Sequence, residues 1–213
     1  MFGPPVTGPM STSDAATGRT LDSNLFITVS GRSGTGVTTL CEGLSEALNC
    51  GYVSGGEVFR EVADERDMSL TQLVAKASES DEIDRDIDRR LRTVAERWGA
   101  SNKAFVLESR LAGWLAGNRA DLRIRLDAPE EVRIERTADR EEVGAEMRVR
   151  DVIDAKRYED YYGIDITDRS IYDLCLNTAR WSPESVLELV LSAVEEYDLE
   201  TDEGAVRTDD LDV

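Results

Sequence analysis

Two hydrophobic periods alternate along the chain. Short, nearly continuous apolar runs occur at 25–30 ("LFITVS"), 52–54 ("YVS"), 103–109 ("KAFVLES"), 121–127 ("DLRIRLD") and 171–178 ("IYDLCLNT"). Their length and their Val, Ile, Leu and Phe content predict buried strands. Between them apolar residues recur three and four apart, as at Leu40, Leu44, Ala47 and Leu48, which predicts helices. Helices are expected over 38–48, 57–65, 69–78, 81–98, 111–117, 129–140, 150–161 and 183–197. Five strands linked by helices imply an α/β fold with three layers and a five-stranded parallel sheet. The ends lack this pattern. Residues 1–24 are rich in Gly, Pro, Ser and Thr, and 198–213 are acidic and aperiodic. Both are expected to be disordered, leaving one domain over 25–197.

Composition narrows the classes. The 213 residues suffice for one sizeable α/β domain. No apolar run approaches the roughly 18 residues of a membrane span. The N-terminus lacks the basic-then-apolar order of a signal peptide, so a cytoplasmic location is expected, with no membrane partner. Net charge is −19, from 44 acidic and 25 basic residues, and the only lysines are Lys76, Lys103 and Lys156. Such a surface disfavours nucleic acid and anionic lipid. It fits adaptation to high salt, where screening mutes self-repulsion, or a generic acidic protein. The chain has no histidine. That removes histidine bases, imidazole metal ligands and Ser-His-Asp chemistry. Cys41, Cys50 and Cys175 lack metal-type spacing and read as reduced thiols.

Three stretches carry candidate chemistry. "ITVSGRSGTGVTTL" (27–40) runs from strand through a glycine-rich turn into a helix. This is the layout of a phosphate-binding P-loop, G-x-x-x-x-G-K-[ST]. Gly31, Arg32, Ser33, Gly34, Thr35, Gly36, Val37, Thr38 and Thr39 would cradle phosphates through backbone N–H groups. Thr38 matches the hydroxyl that ligates Mg²⁺, but position 37, lysine in the pattern, is valine. In "VLESRLAG" (106–113), Glu108 ends a strand and is placed as a second Mg²⁺ acid. It also reads as a cap or ion-pair acid. Arg110 follows and could clamp a phosphate in fork geometry. Arg133, Arg136, Arg140, Arg148, Arg150 and Arg157 recur at helical spacings. They read as a polyphosphate site, or as surface partners of Glu135, Asp139 and Asp154. The tryptophans Trp98, Trp114 and Trp181 and the tyrosines Tyr158, Tyr161 and Tyr162 read as packing residues, with base stacking the lesser option.

With these residues in place, the chain resembles the archaeal cytidylate kinases of the adenylate-kinase-like P-loop group. The likeness runs from about Phe26 to Tyr197. It is carried by "VSGGEVFRE" (53–61), "EIDRDIDRRL" (82–91), "LESRLAGWLAG" (107–117) and "AKRYEDYYGIDITDRSIYDLCLNTARWSPE" (155–184). The resemblance implies ATP-dependent phosphorylation of CMP or dCMP with Mg²⁺, by a monomer. It implies a helical monophosphate-binding insertion over about 54–98 and a lid over about 136–157. Ser54, Gly55, Arg60 and Arg110 then look like acceptor-site residues, with Arg89 bordering them. Arg136, Arg140, Arg150 and Arg157 look like lid arginines, and Asn177, Thr178 and Ala179 lie near the donor base. Two departures touch the donor: Val37, and a segment between Arg140 and Arg150 shorter than the expected lid. Two function classes follow, a kinase slowed by Val37 or a nucleotide-binding protein that has lost phosphoryl transfer and acts as a sensor or partner.

Overall fold

A computed structural model describes residues 19–77, 79–137, 144–198, 200–204, 206–208 and 211–213. Its sheet holds β1 (Phe26–Gly31), β2 (Gly51–Ser54), β3 (Phe105–Glu108), β4 (Leu122–Asp127) and β5 (Leu174–Asn177). The strands are all parallel, in the order β2-β3-β1-β4-β5. Alternation along the strands builds two cores. Phe26, Phe105 and Leu107 face one layer of helices; Ile27, Val29, Val106, Ile124 and Leu126 face the other. The second layer is α1 (Val37–Ala47) and α8 (Pro183–Glu195), whose Leu44, Val190 and Leu191 have no exposed surface. The first layer is α2 (Gly55–Glu65), α3 (Leu70–Ala77), α4 (Glu82–Gly99) and α5 (Ala112–Ala116). α2, α3 and α4 stand between β2 and β3. After β4 come α6 (Glu130–Thr137) and α7 (Gly144–Tyr162), which begins earlier than the sequence suggests.

The last strand is shorter than expected. Ile171 and Tyr172 are buried but precede it, because the Tyr172 N–H turns back to the Arg169 carbonyl at 3.1 Å. The Asp173 carboxylate then accepts from the Arg123 N–H at 2.6 Å and sets the start of β5.

Of the N-terminal segment expected to be disordered, residues 1–18 lie outside the described residues; residues 19–24 and the described part of the tail make specific contacts. The Leu21 N–H donates to the Ala47 carbonyl at 2.9 Å, and Arg19 pairs with Glu188 and Glu195 of α8. At the other end, Thr208 exchanges hydrogen bonds of 3.0 and 3.1 Å with Asn118. The Val206 carbonyl accepts from Arg123, a guanidinium with no exposed surface, at 2.7 Å, and Leu211 and Val213 pack on the first core. An acidic composition concealed these few anchors. The three cysteines are free thiols, as the sequence predicts. Among the described residues no helix is long and apolar enough to cross a membrane.

Candidate active site

β1 ends at Gly31 and α1 begins at Val37, so residues 32–36 form the turn at the carboxyl end of the central strand. Open α/β sheets bind ligands there. Gly34 and Gly36 take left-handed backbone angles, φ 80° and 89°, which side chains disfavour. At Gly34 a Cβ would also stand 2.7 Å from the Arg133 carbonyl, so α6 lies against the loop. Thr35 closes the turn, donating from its N–H and Oγ1 to the Arg32 carbonyl at 3.2 and 2.7 Å. The Thr178 hydroxyl, just past β5, donates to the Thr35 carbonyl at 2.9 Å. No side chain caps α1, so its first amides face the turn, where an anion is favoured. Val37 is 8% exposed and packs in the core beneath α1, against Gly31, while still bordering the cleft. The loop thus holds its shape without a lysine.

Glu108 ends β3 in register with Val29 of β1, beside the loop. Burial pushes its carboxyl up to about 7, with Glu57 and Glu42 adding to the rise and Arg60 and the Thr38 hydroxyl, its hydrogen-bond partner, opposing it. Its Oε2 is buried without a partner. An under-satisfied carboxylate beside a threonine hydroxyl suits a hard divalent cation. No group of three or more His, Cys, Asp or Glu among the described residues could cage a metal. A Mg²⁺ ion would therefore also need phosphate and water oxygens, its usual company.

Arginines converge on the same loop. Arg110 lies 3.4 Å from the Ser33 hydroxyl and pairs with Asp154 of α7. Arg133, 2% exposed, donates to the Ser33 carbonyl at 3.3 Å and pairs with Asp151 at 2.9 Å. Arg32 and Arg110 approach the same Asp151, at 3.9 and 4.0 Å. Arg136 donates to the Gly34 carbonyl at 3.3 Å and to the Thr178 hydroxyl and carbonyl at 2.9 and 3.0 Å. Arg157 pairs with Asp84 of α4 at 2.8 Å and with Asp154 at 3.5 Å. Arg148 instead pairs with exposed Glu130 at 2.6 Å, away from the cleft. Arg140 and the side chain of Arg150 lie outside the described residues. Asp154, one option for a surface partner, is buried between Arg110 and Arg157.

The loop, the ends of β3 and β5, the α2–α4 insertion and α7 enclose a cleft of about 1810 Å³. That exceeds the usual range for one small ligand and leaves room for two nucleotides. Gly55, Arg60 and Arg110 line it. Ser54 does not. Its hydroxyl accepts from the Glu57 N–H at 3.1 Å, and the Glu57 carboxylate accepts from the Ser54 N–H at 3.2 Å, a capping box that starts α2. Arg89 is also outside the lining. It is exposed and donates to the Arg85 carbonyl of its own helix at 3.2 Å. α4 turns Asp84, Ile87, Asp88 and Leu91 to the cleft, which carries position 89 round the helix. Thr178 borders the main cleft, whereas Asn177 accepts from the Ala179 N–H at 3.1 Å and lines a smaller neighbouring cleft with Arg32. Trp98 stacks on Phe105 at 4.3 Å between centroids, a packing role, but Trp181 is half exposed at the cleft edge.

Beyond Glu108, and Asp154 as a surface partner, the sequence did not single out the carboxylates around the site. Asp84 and Asp88 share a stripe with Ile87 and Leu91, and Asp151 and Asp154 share one with Tyr158. An acid in phase with buried apolar positions was the available signal.

Residues 27–163 match the AAA domain family. A cytidylate kinase of Natronomonas pharaonis is 51% identical over 185 residues, 84% of this chain and 94% of that protein. One from Haloarcula marismortui is 48% identical over 192 residues, 88% of this chain and 98% of that protein. Among solved structures, shikimate kinase from Bacteroides thetaiotaomicron shares the fold, with a TM-score of 0.56 at 16% identity, over 80% of this chain and 98% of that one.

Proposed function

We propose that this chain, which belongs to the cytidylate kinase family, transfers the terminal phosphoryl group of ATP to CMP or dCMP. It is a P-loop phosphotransferase of the nucleoside-monophosphate kinase class. The observation that carries the reading is the meeting of an amide-lined loop, Glu108 and five arginines, Arg32, Arg60, Arg110, Arg136 and Arg157, around one two-nucleotide cleft. Relatives that are 51% and 48% identical bear the kinase name, so the non-catalytic sensor reading is not favoured.

Phosphoryl transfer needs little covalent chemistry from the protein; position and charge neutralisation supply most of the acceleration. The loop amides hold the donor's outer phosphates, and Arg136, fixed on Gly34 and Thr178, borders them. Arg110 and Arg60 hold the acceptor phosphate so that one of its oxygens faces the terminal phosphorus in line. The new P–O bond forms as the bond to the bridging oxygen of ADP breaks. Thr38 and Glu108 would hold Mg²⁺, which neutralises charge on the phosphates when bound. Val37 leaves one cation out of the array. Loss of one well-placed stabiliser costs roughly 10²–10³ in rate, so turnover is slow rather than absent. A monomer in the cytoplasm, without nucleic-acid or membrane partners, completes the reading.

A coupled assay with Mg·ATP and CMP, dCMP, UMP or AMP, in dilute and in concentrated salt, tests it. Turnover with CMP or dCMP is expected. Binding of Mg·ATP without turnover of any monophosphate would replace the kinase with the sensor.

A further inference from the structure

Two carboxylates on the cleft face of α4 have no role in the transfer proposed above. Asp84 is 7% exposed and Asp88 6%. Buried carboxylates are uncommon unless paired. Asp84 is paired, with Arg157. Asp88 is half satisfied: its Oδ2 accepts from the Tyr162 hydroxyl of α7 at 2.9 Å, and its Oδ1 has no hydrogen-bond partner among the described residues. Both acids border the cleft on the side of the insertion, opposite the loop.

We infer that Asp88 selects the acceptor base, its carboxylate accepting a hydrogen bond from the exocyclic amine of cytosine. The inference rests on the monophosphate-kinase reading and adds the group that reads the base. An ionised carboxylate can only accept, and a guanidinium can only donate. Cytosine offers an amine donor next to a ring-nitrogen acceptor. Asp88, with the Asp84-held guanidinium of Arg157 on the neighbouring turn, offers the matching order of acceptor and donor. Uracil reverses both groups. Its 4-carbonyl would face the carboxylate and leave a buried acceptor unpaired, the kind of mismatch that sites built on polar groups reject most strongly. Apolar surface for the ring is at hand. Ile87 and Leu91 share the stripe with the acids, and across the cleft Val74 of α3 is 57% exposed. Burial raises the Asp88 carboxyl to about 6, so it stays ionised at neutral pH.

The test is the ratio of kcat/KM for CMP to that for UMP. An asparagine amide can turn either its oxygen or its NH₂ to the base. Asp88→Asn should therefore lower the CMP:UMP ratio by at least about tenfold, the scale of one hydrogen-bonded base contact. Tyr162→Phe removes the neighbouring hydroxyl but keeps the carboxylate, and should keep the ratio. A substrate-side probe needs no variant. The 2-pyrimidinone analogue of CMP, which lacks only the amine, should be a substrate as poor as UMP for the wild type. A ratio within about twofold of wild type in folded Asp88→Asn overturns the assignment. So does an analogue as good as CMP, or Tyr162→Phe losing as much selectivity as Asp88→Asn. Calorimetric binding of CMP, UMP and the analogue reads the same preference without turnover. An inactive but CMP-selective protein would refute the kinase and leave Asp88 in place.

Discussion

Val37→Lys should move stability and turnover in opposite directions. Val37 is 8% exposed, at the first position of α1, and packs against Gly31 in the core beneath that helix. Lysine keeps one γ-carbon and loses the other buried methyl. By analogy with other single-methyl deletions this costs about 0.5–1.5 kcal/mol. In a protein of this size such a loss lowers Tm by about 2–4 °C per kcal/mol. The rest of the lysine stem can run along the loop, since position 37 already borders the cleft, and bring its ammonium to the phosphates. A stabiliser placed there is worth roughly 10²–10³ in kcat, about 3–4 kcal/mol of barrier. ATP affinity should change less, because the left-handed Gly34 and Gly36 and the Thr35–Arg32 closure that shape the amide cradle are untouched. The assay is steady-state turnover with ATP and CMP in concentrated salt, beside a thermal melt and ATP titration of both proteins. A lower Tm with kcat unchanged or reduced, in a variant that still binds ATP, would rule this out. The missing ammonium would then not be what limits transfer.

Arg110→Ala should weaken CMP binding by about 1.5–3 kcal/mol in calorimetry, the range for hydrogen bonds to charged groups; unchanged affinity would remove Arg110 from the acceptor site. Arg133→Met should destabilise the fold by about 3 kcal/mol in denaturant titration, because Asp151, 12% exposed, loses its closest partner and the loop loses its tie at Ser33. The Asp88 carboxyl rises from 3.8 to about 6 on folding, so its contribution to stability is full below about 3.8 and is lost as pH climbs through about 6. Asp88→Asn should remove that loss, and the difference between its melting curve and the wild type's should vary across pH 4–7; a difference that is flat with pH would contradict the raised carboxyl. Truncation after Tyr197 should lower stability by about 1–3 kcal/mol, since Arg123 loses the Val206 carbonyl inside the protein; an unchanged melt would show that the tail contributes nothing.

The phosphate side of the cleft is legible in the sequence because its chemistry is local. A strand, a glycine turn and a helix start are contiguous, and Glu108 and Arg110 follow a strand that pairs beside the first. What is hidden depends on helix phase and on distant partners. Ser54, expected at the acceptor site, also begins an S-x-x-E capping box that starts α2, a local pairing the sequence analysis passed over. Arg89 belongs to a helix that lines the cleft but stands on that helix's exposed side. Arg133 looks like any member of a surface series until α6 brings its backbone against Gly34 and its side chain under Ser33. Acids in a chain of this charge read as solvated, yet Asp84, Asp88 and Asp154 are buried where arginines or a tyrosine meet them. The tail shows the same limit, because Val206, Thr208, Leu211 and Val213 are too few to mark a docked segment by composition.

Transfer itself is the most direct test. Wild-type protein in concentrated salt should be mixed with ATP labelled in its terminal phosphoryl group, excess CMP and Mg²⁺, then quenched over time and separated. Label should pass into CDP, slowly, and only with Mg²⁺ and CMP present. Tight binding of Mg·ATP with no label in CDP, in both wild type and Val37→Lys, would contradict it.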